Sequence, residues 1–251
     1  MGSKFSVFLL ALGLALSTQA DSTFLFTPAN GTVPDNDASG WQDTRNIAAI
    51  SGTIANVSVT LDISGGYNGD LYAWLSHGSG LAILLNRVGI SSSSAVGYAT
   101  QGFGPDSQQS QFTLDDKAAQ DVHFYQAVPF TLNAASQLTG MWQPDGRIID
   151  PASSSALFDD APRSNTLNVF DDLDPNGQWT LFVADLSPGG VSTVVSWGLN
   201  ITMVPEPAST TLLAFGIAVG FLRAVGRRGG RTCVSERWCS GAPPASRDQV
   251  K

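Results

Sequence analysis

The clearest periodic segment of the chain reads Val57-Ser58-Val59-Thr60-Leu61-Asp62-Ile63. Apolar and polar residues alternate in it without a break, which is the pattern of a strand with one buried face. The same period of two returns in Val195–Thr202, and an alternating segment, Trp179–Val183, precedes it. Between these two, Ser187-Pro188-Gly189-Gly190 has the composition of a turn, which predicts that they form a hairpin.

Further short strands are predicted on both sides of this pattern. Leu71–Leu75 and Leu81–Leu85 form a second hairpin across His77-Gly78-Ser79-Gly80. Weaker strands are predicted at Gln111–Leu114, His123–Leu132 and Leu167–Phe170. Many short strands separated by Gly, Pro, Ser and Asp clusters predict an all-β fold, an antiparallel β-sandwich.

Both ends of the chain differ from this body. Met1–Ala20 has Lys4, an apolar stretch and a small-residue cleavage site, the parts of a secretory signal peptide. At the other end, the prolines at 205 and 207 prevent a strand from continuing. An uncharged segment and an arginine cluster follow, which predicts a short transmembrane helix with its arginines on the cytoplasmic side.

These features divide the chain into four predicted parts. They are a signal peptide (residues 1–20), a β-sandwich domain (21–203), a proline-led segment with a transmembrane helix (204–228) and a disordered basic tail (229–251). The tail is polar and lacks periodicity, which is typical of disorder.

The body is strongly acidic. Residues 21–203 hold 18 aspartates, no glutamate and five basic residues, a net charge of −13. Such a surface repels phosphate backbones, so no nucleic-acid binding is expected. Both cysteines, Cys233 and Cys239, fall in the tail, so no disulfide framework is expected in the domain.

Serine catalysis is not expected. A triad needs a serine, a histidine and a carboxylate within hydrogen-bond reach of one another. The only histidines are His77, in a predicted turn, and His123, beside Phe124 and Tyr125 in an apolar segment. No Gly-x-Ser-x-Gly elbow follows a strand. We therefore expect no enzymatic activity.

Two aspartate-rich segments allow two interpretations. Asp172-x-Asp174-x-Asn176-Gly177 and Asp35-x-Asp37-x-Ser39-Gly40 each match the first half of a calcium-binding loop. One interpretation is a pair of Asx-type turns that lead into strands. The other is a calcium site on the sandwich. Its candidate metal ligands are Asp35, Asp37, Asp70, Asp172 and Asp174.

Aromatic residues in loop-like surroundings offer a further hypothesis, sugar binding. Trp41, Trp142 and Tyr67 lie in such surroundings, whereas Trp179 and Trp197 fall on strand faces that we predict to be buried. Aromatic residues in loops also serve as packing lids, so both roles remain open.

The C-terminal segment resembles the PEP-CTERM sorting signal of exported proteins in Gram-negative bacteria that make exopolysaccharide. The matching residues are Val204, Pro205, Glu206, Pro207, Arg227 and Arg228. The resemblance implies recognition by an exosortase-type membrane protease-transpeptidase and cleavage near the Pro-Glu-Pro. Unlike the family's signal, this chain continues past the arginines, through residues 229–251. An ordinary C-terminal membrane anchor is the alternative.

The body resembles P/Homo B domains, the jelly-roll modules that follow the catalytic domain of subtilisin-like proprotein convertases. The resemblance rests on Val33–Asp37, on Gly69–Leu71 with Trp74–Gly78, and on Asp174–Leu181 with its continuation to Ile201. His77 stands where the family often has proline, and the middle of the body matches poorly. The resemblance implies a jelly-roll β-sandwich.

Together these features predict an exported, non-enzymatic protein of the cell envelope or extracellular matrix, with a structural or adhesive role. The alternatives are a calcium-stabilised carbohydrate-binding module and an accessory domain of a separately encoded serine peptidase. The expected partners are the exosortase-type protease and extracellular polysaccharide, with membrane contact through the C-terminal helix before processing.

Overall fold

A computed structural model describes residues 20–106, 108 and 111–204 of the chain. This part contains ten β-strands. They are β1 (Ala20–Phe26), β2 (Asp37–Ile47), β3 (Thr53–Gly65), β4 (Leu71–His77), β5 (Gly80–Asn86), β6 (Gly102–Phe103), β7 (Phe112–Asp115), β8 (Met141–Trp142), β9 (Gly177–Asp185) and β10 (Ser192–Val204). Short 3-10 helices lie at Asn68–Asp70, Val122–Ala127, Ser155–Phe158 and Leu167–Phe170.

The strands form two sheets. Sheet A has the order β1-β10-β3-β7-β8, with β6 also paired to β3, and sheet B has the order β2-β9-β4-β5. Neighbouring strands are antiparallel except β7 and β8, which are parallel. The predicted all-β sandwich is thus confirmed.

One hydrophobic core lies between the sheets. Alternate residues of β3, from Val57 to Ile63, are almost completely buried, as the period of two predicts. Sheet B contributes Trp179, Leu181 and Val183 to the same cluster. Burying each side chain of this size contributes about 1.5–3 kcal/mol, so this layer is the main stabilising element.

One of the two predicted hairpins is present in the structure and the other is not. The pairing of β4 with β5 confirms the first. The second is wrong, because β9 pairs with β2 and β4 in sheet B, whereas β10 pairs with β1 and β3 in sheet A. The six residues 186–191 are long enough to cross the roughly 10 Å between packed sheets. Alternation tells which face of a strand is buried but not which sheet the strand joins.

Two of the three weaker strands are also wrong. β7 confirms the strand at Gln111–Leu114. The other two segments contain 3-10 helices, Val122–Ala127 and Leu167–Phe170. In the first, the Asp121 carboxylate accepts a hydrogen bond from the His123 amide and caps the turn. Their aromatic residues therefore reach the core from loops rather than from strands.

The first and last strands are neighbours. β1 pairs with β10 in antiparallel register, with Ala20 opposite Met203 and Phe26 opposite Trp197. β1 begins at Ala20, which we predict to be the last residue of the leader. The described chain therefore starts and finishes at the same corner of sheet A.

Several predicted features lie outside the described residues. These are the leader up to residue 19 and, beyond Val204, the sorting-signal residues Pro205, Glu206, Pro207, Arg227 and Arg228 together with the tail 229–251. Within the described residues, no helix has both the length and the apolar character needed to cross a membrane.

Candidate functional site

Three carboxylates meet at one end of the sandwich. Asp70 directly precedes β4, and Asp185, the last residue of β9, is paired with Leu71. The Leu186 amide donates to the Asp70 carbonyl over 2.9 Å. The Gly189 amide donates to Oδ1 of Asp35 over 3.3 Å. The crossing loop 186–191 thus holds Asp35 close to the other two.

Asp185 is the unusual member of this acidic cluster, which we define as Asp35, Asp70 and Asp185. Its side chain is fully buried. Oδ1 accepts a hydrogen bond from the Ser187 amide, but Oδ2 has no partner. The Ser192 hydroxyl lies near the carboxyl and lowers its pKa, but it does not reach hydrogen-bonding geometry with Oδ2. Burial, together with the charges of Asp70 and Asp35, raises the pKa of Asp185 to about 6.

One cation lies against this cluster. The Arg87 guanidinium donates to the Ser187 hydroxyl over 3.1 Å and to the Gly69 carbonyl over 3.3 Å. Burial lowers the pKa of Arg87, and the charges of Asp70 and Asp185 oppose that shift. Burial also raises the pKa of Asp70. Arg87 therefore offsets only part of the negative charge.

The structure separates the five predicted metal ligands. Asp35 and Asp70 lie in the acidic cluster. Asp172 and Asp174 lie near the other end of β4, since the Asp174 carbonyl oxygen contacts the ring of His77, the last residue of that strand. At about 3.3 Å per residue, the strand keeps the two groups roughly 20 Å apart.

Two of these aspartates, Asp37 and Asp174, form Asx-type turns, which were the alternative to a calcium site. Oδ1 of Asp37 accepts a hydrogen bond from the Ser39 amide over 2.8 Å. Oδ1 of Asp174 accepts from the Asn176 amide over 2.9 Å. Both are Asx-type turns, in which the carboxylate satisfies the local backbone. Asp172 is exposed and has a positive φ of 65°.

Calcium binding stays a prediction. Among the described residues, no group of three or more His, Cys, Asp or Glu side chains is arranged to hold a metal ion. The acidic cluster nevertheless supplies oxygen donors, which calcium prefers, and one of them is buried without a partner. Asp185 was missed from the sequence, although it continues the inward series Trp179, Leu181 and Val183.

His77 uses both ring nitrogens to bridge a turn to a strand. Nδ1 lies 2.9 Å from the Gln178 carbonyl oxygen, and Nε2 lies 2.7 Å from that of Asp174. Carbonyl oxygens only accept, so the ring's tautomer decides which of the two contacts is a donated hydrogen bond. The ring is therefore a structural bridge.

His123 is equally occupied, in a buried polar network. Nδ1 lies 2.6 Å from Oδ2 of Asp145, and Nε2 lies 2.8 Å from the Ile90 carbonyl oxygen. Arg147 donates to Oδ1 of Asp145 over 3.2 Å and to Asp121 over 2.8 Å. Burial opposes ionisation of Asp145, but the charges of His123 and Arg147 prevail and lower its pKa. Neither imidazole presents a free nitrogen to a serine hydroxyl.

The outer face of sheet B carries a pair of aromatic rings. Trp74 and Phe182 are paired across β4 and β9, and their rings stack with centroids 5.0 Å apart and planes at 11°. Both are partly exposed, whereas the alternate residues Leu75 and Leu181 are buried in the core. The pair is therefore not part of the layer that holds the sandwich together.

Polar side chains continue this face toward one end of the sheet. In the next row, the hydroxyls of Thr44 and Thr180 share a hydrogen bond of 2.8 Å, and Ser76 lies beside Thr180. An open cavity of about 420 Å³ begins here. It is lined by Ser76, His77, Gly78, Asn176, Gly177, Gln178 and Thr180. Its lining is polar and carries no carboxylate.

The aromatic residues that we considered for sugar binding are placed differently. Trp142 is buried and donates its Nε1–H to the Thr139 carbonyl. Trp41 is partly buried against the core and donates to the Asn30 carbonyl. Tyr67 is 39% exposed. Trp41 and Trp142 thus have a packing role, which was the alternative to sugar binding.

Comparisons with known proteins find matches among solved structures. The sequence matches no protein-family profile and no curated protein. A serine protease of Aeromonas sobria matches with 12% identity and a TM-score of 0.39, over 77% of this chain and 28% of the protease chain. A complex of that protease with its chaperone matches with 13% identity and a TM-score of 0.35, over 75% and 27%. This chain thus spans little more than a quarter of the chains it matches.

Proposed function

We propose that this protein is an exported, non-enzymatic β-sandwich module that is delivered to the cell envelope or extracellular matrix, where it has a structural or adhesive role. One observation carries the non-enzymatic, surface-binding part of this proposal. Both histidines of the domain are occupied at both ring nitrogens, while the outer face of sheet B is open and polar around an aromatic pair. Such a surface suits binding rather than acid–base chemistry.

The proposed fold family is the P/Homo B jelly roll. Two segments that resemble this family begin neighbouring strands of sheet B. Gly69–Leu71 leads into β4, and Asp174–Gly177 leads into β9. The position of both motifs at strand starts in one sheet is consistent with the jelly-roll proposal.

Delivery is proposed to depend on the two ends of the chain. The leader directs export, and the PEP-CTERM signal is cut by an exosortase-type protease-transpeptidase near Pro205–Pro207. Cell fractionation and sequencing of the mature C-terminus test this step. We expect a mature protein in the envelope or medium that ends near Pro205–Pro207. A mature protein that retains Lys251 would show simple anchoring instead.

Calcium-stabilised binding is the second candidate function. The unpartnered Oδ2 of Asp185, beside Asp35 and Asp70, favours it, because a bound cation would supply the missing partner and neutralise the cluster. The calcium prediction in the Discussion tests this candidate.

An accessory role beside a separately encoded serine peptidase is the remaining alternative. It rests on the resemblance to P domains, which accompany proteases. Affinity purification of the native protein from envelope extracts tests it. Co-purification of a peptidase at stoichiometric yield would replace the structural role with this one, and its absence would leave the structural proposal in place.

A further inference from the structure

We propose that the outer face of sheet B is a binding site for neutral polysaccharide, centred on Trp74 and Phe182 and extending into the cavity beside Ser76 and Gln178. This inference rests on the proposed function, because it names the ligand class of a surface module. The sequence offered other aromatic residues for this role.

The aromatic pair has the features of a recognition platform. Side chains at these positions are not needed for the core, because the buried residues of β4 and β9 point the opposite way. Gly40 leaves space for Phe182, since a Cβ at that glycine would lie 2.6 Å from the Phe182 ring. Two large rings held in fixed geometry at a partly exposed position offer an apolar surface for a sugar ring.

The neighbouring polar groups are available to a ligand. Neither the Ser76 hydroxyl nor the Gln178 amide forms a hydrogen bond with another described residue, and Gln178 is exposed. The hydroxyls of Thr44 and Thr180 lie in the same row. These polar groups border the cavity beyond the aromatic pair and supply the oriented hydrogen-bonding groups that a sugar ligand needs.

Backbone segments pair with the edge strand β5, so the open part of sheet B is its outer face rather than this edge. The Ile83 amide of β5 donates to the Asn165 carbonyl, and the Gly146 amide donates to the Ile83 carbonyl. These loops cover the β5 edge of sheet B. The outer face runs from the aromatic pair to the cavity at the ends of β4 and β9.

Charge selects the class of polysaccharide. Trp74, Phe182, Ser76, Thr180 and Gln178 are all uncharged, within a domain whose net charge is −13. That charge repels polyanions at long range, and the face offers no cation to bind their carboxylates. An extended polymer rich in hydroxyl groups and free of acid groups is the ligand that fits.

Affinity electrophoresis of the full chain in mild detergent tests the proposal. The gels contain β-1,3-linked, β-1,4-linked or α-1,6-linked soluble glucan, or polygalacturonate as the acidic comparison. We expect at least one neutral glucan to retard the protein and polygalacturonate to have no effect. Retardation by none of the neutral glucans, or equal retardation by polygalacturonate, overturns the proposal.

Variants locate the site. Trp74→Ala should weaken the retarding interaction about tenfold, since it removes one ring of the platform. Gln178→Ala, an exposed change that leaves the core intact, should weaken it about threefold through one lost hydrogen bond. Phe130→Ala, which removes an exposed aromatic ring outside sheet B, is the matched control and should bind like the unchanged protein. Equal losses in all three variants, or none in the first two, would contradict this location. Failed delivery to the envelope would refute the proposed function without affecting this binding result.

Discussion

The imidazole of His77 lies flat against the indole of Trp179, with ring centroids 4.0 Å apart and planes 1° apart. His77 ends β4 and Trp179 is paired with it on β9, so the stack joins two strands where the β9 turn begins. The same ring also bridges the carbonyls of Asp174 and Gln178. This histidine therefore fixes the turn that shapes the cavity.

Replacing His77 with leucine should destabilise the domain. The change keeps an apolar contact with Trp179 but removes the imidazole's hydrogen bond to a part-buried carbonyl oxygen, which costs up to about 1–3 kcal/mol. Urea unfolding followed by tryptophan fluorescence measures the difference. Ser79→Ala, in the same turn and exposed, serves as the control and should change stability by less than about 0.5 kcal/mol. An unaffected His77→Leu protein would contradict the bridging role.

Stability should rise as the pH falls from about 7 to about 5. The pKa of Asp185 is about 6 in the folded protein, above the value near 3.9 of an unfolded chain, so the folded state binds this proton more tightly. Ionisation therefore costs stability above pH 6, and the gain on acidification is complete near pH 4. Thermal unfolding at pH 7.5 and pH 5.0 in chelator measures the change in Tm.

Asp185→Asn tests the assignment of that pH dependence. The variant removes the buried charge, so its Tm at pH 7.5 should exceed that of the unchanged protein, and its pH dependence should be smaller. Asp160→Asn, at an exposed position, should retain the original dependence. If Asp185→Asn and Asp160→Asn vary alike with pH, another group is responsible.

Replacing Asp145 with asparagine should be strongly destabilising. Asp145 is fully buried between His123 and Arg147, and its removal leaves buried donors without their charged partner. Breaking a buried ion pair at one side costs about 3–5 kcal/mol. Chemical denaturation measures the effect, again with Asp160→Asn as the reference. A loss below about 1 kcal/mol would show that the network contributes little.

Calcium should raise the melting temperature if the acidic cluster binds it. Millimolar calcium added to chelator-treated protein stabilises the folded state by mass action when only that state binds the ion. The increase should disappear in Asp185→Asn and persist in Asp174→Asn, since Asp174 lies roughly 20 Å away at the other end of β4. An equal Tm with and without chelator would refute calcium binding by the domain.

Local alternation predicted the fold class well because it reports burial directly. The inward residues of β3 and the β4–β5 hairpin follow from the sequence. The position of β2 could not be predicted in this way. Its sequence, from Asp37 to Ile47, is mostly polar, and it becomes a strand by pairing with β9 at the edge of sheet B. Contacts between distant segments supply that information.

The candidate sites were predicted less completely. Asp35 and Asp70 were identified as candidate ligands, but Asp185 was not, because turn motifs rather than strand phase guided the choice. The aromatic pair of the outer face was missed for the same reason, because Trp74 and Phe182 are recognised only by their outward-facing positions on β4 and β9. Which outward aromatic residues stay uncovered depends on how the loops pack, and alternation does not encode that.

The pairing of β1 with β10 has a mechanical consequence. Because Ala20 lies opposite Met203, tension applied between the two ends of the domain would load the hydrogen bonds of this ladder one after another, as a zipper opens. A domain that is attached through only one of its ends carries no such tension across the β1–β10 pairing. The domain should therefore resist tension between its two ends poorly.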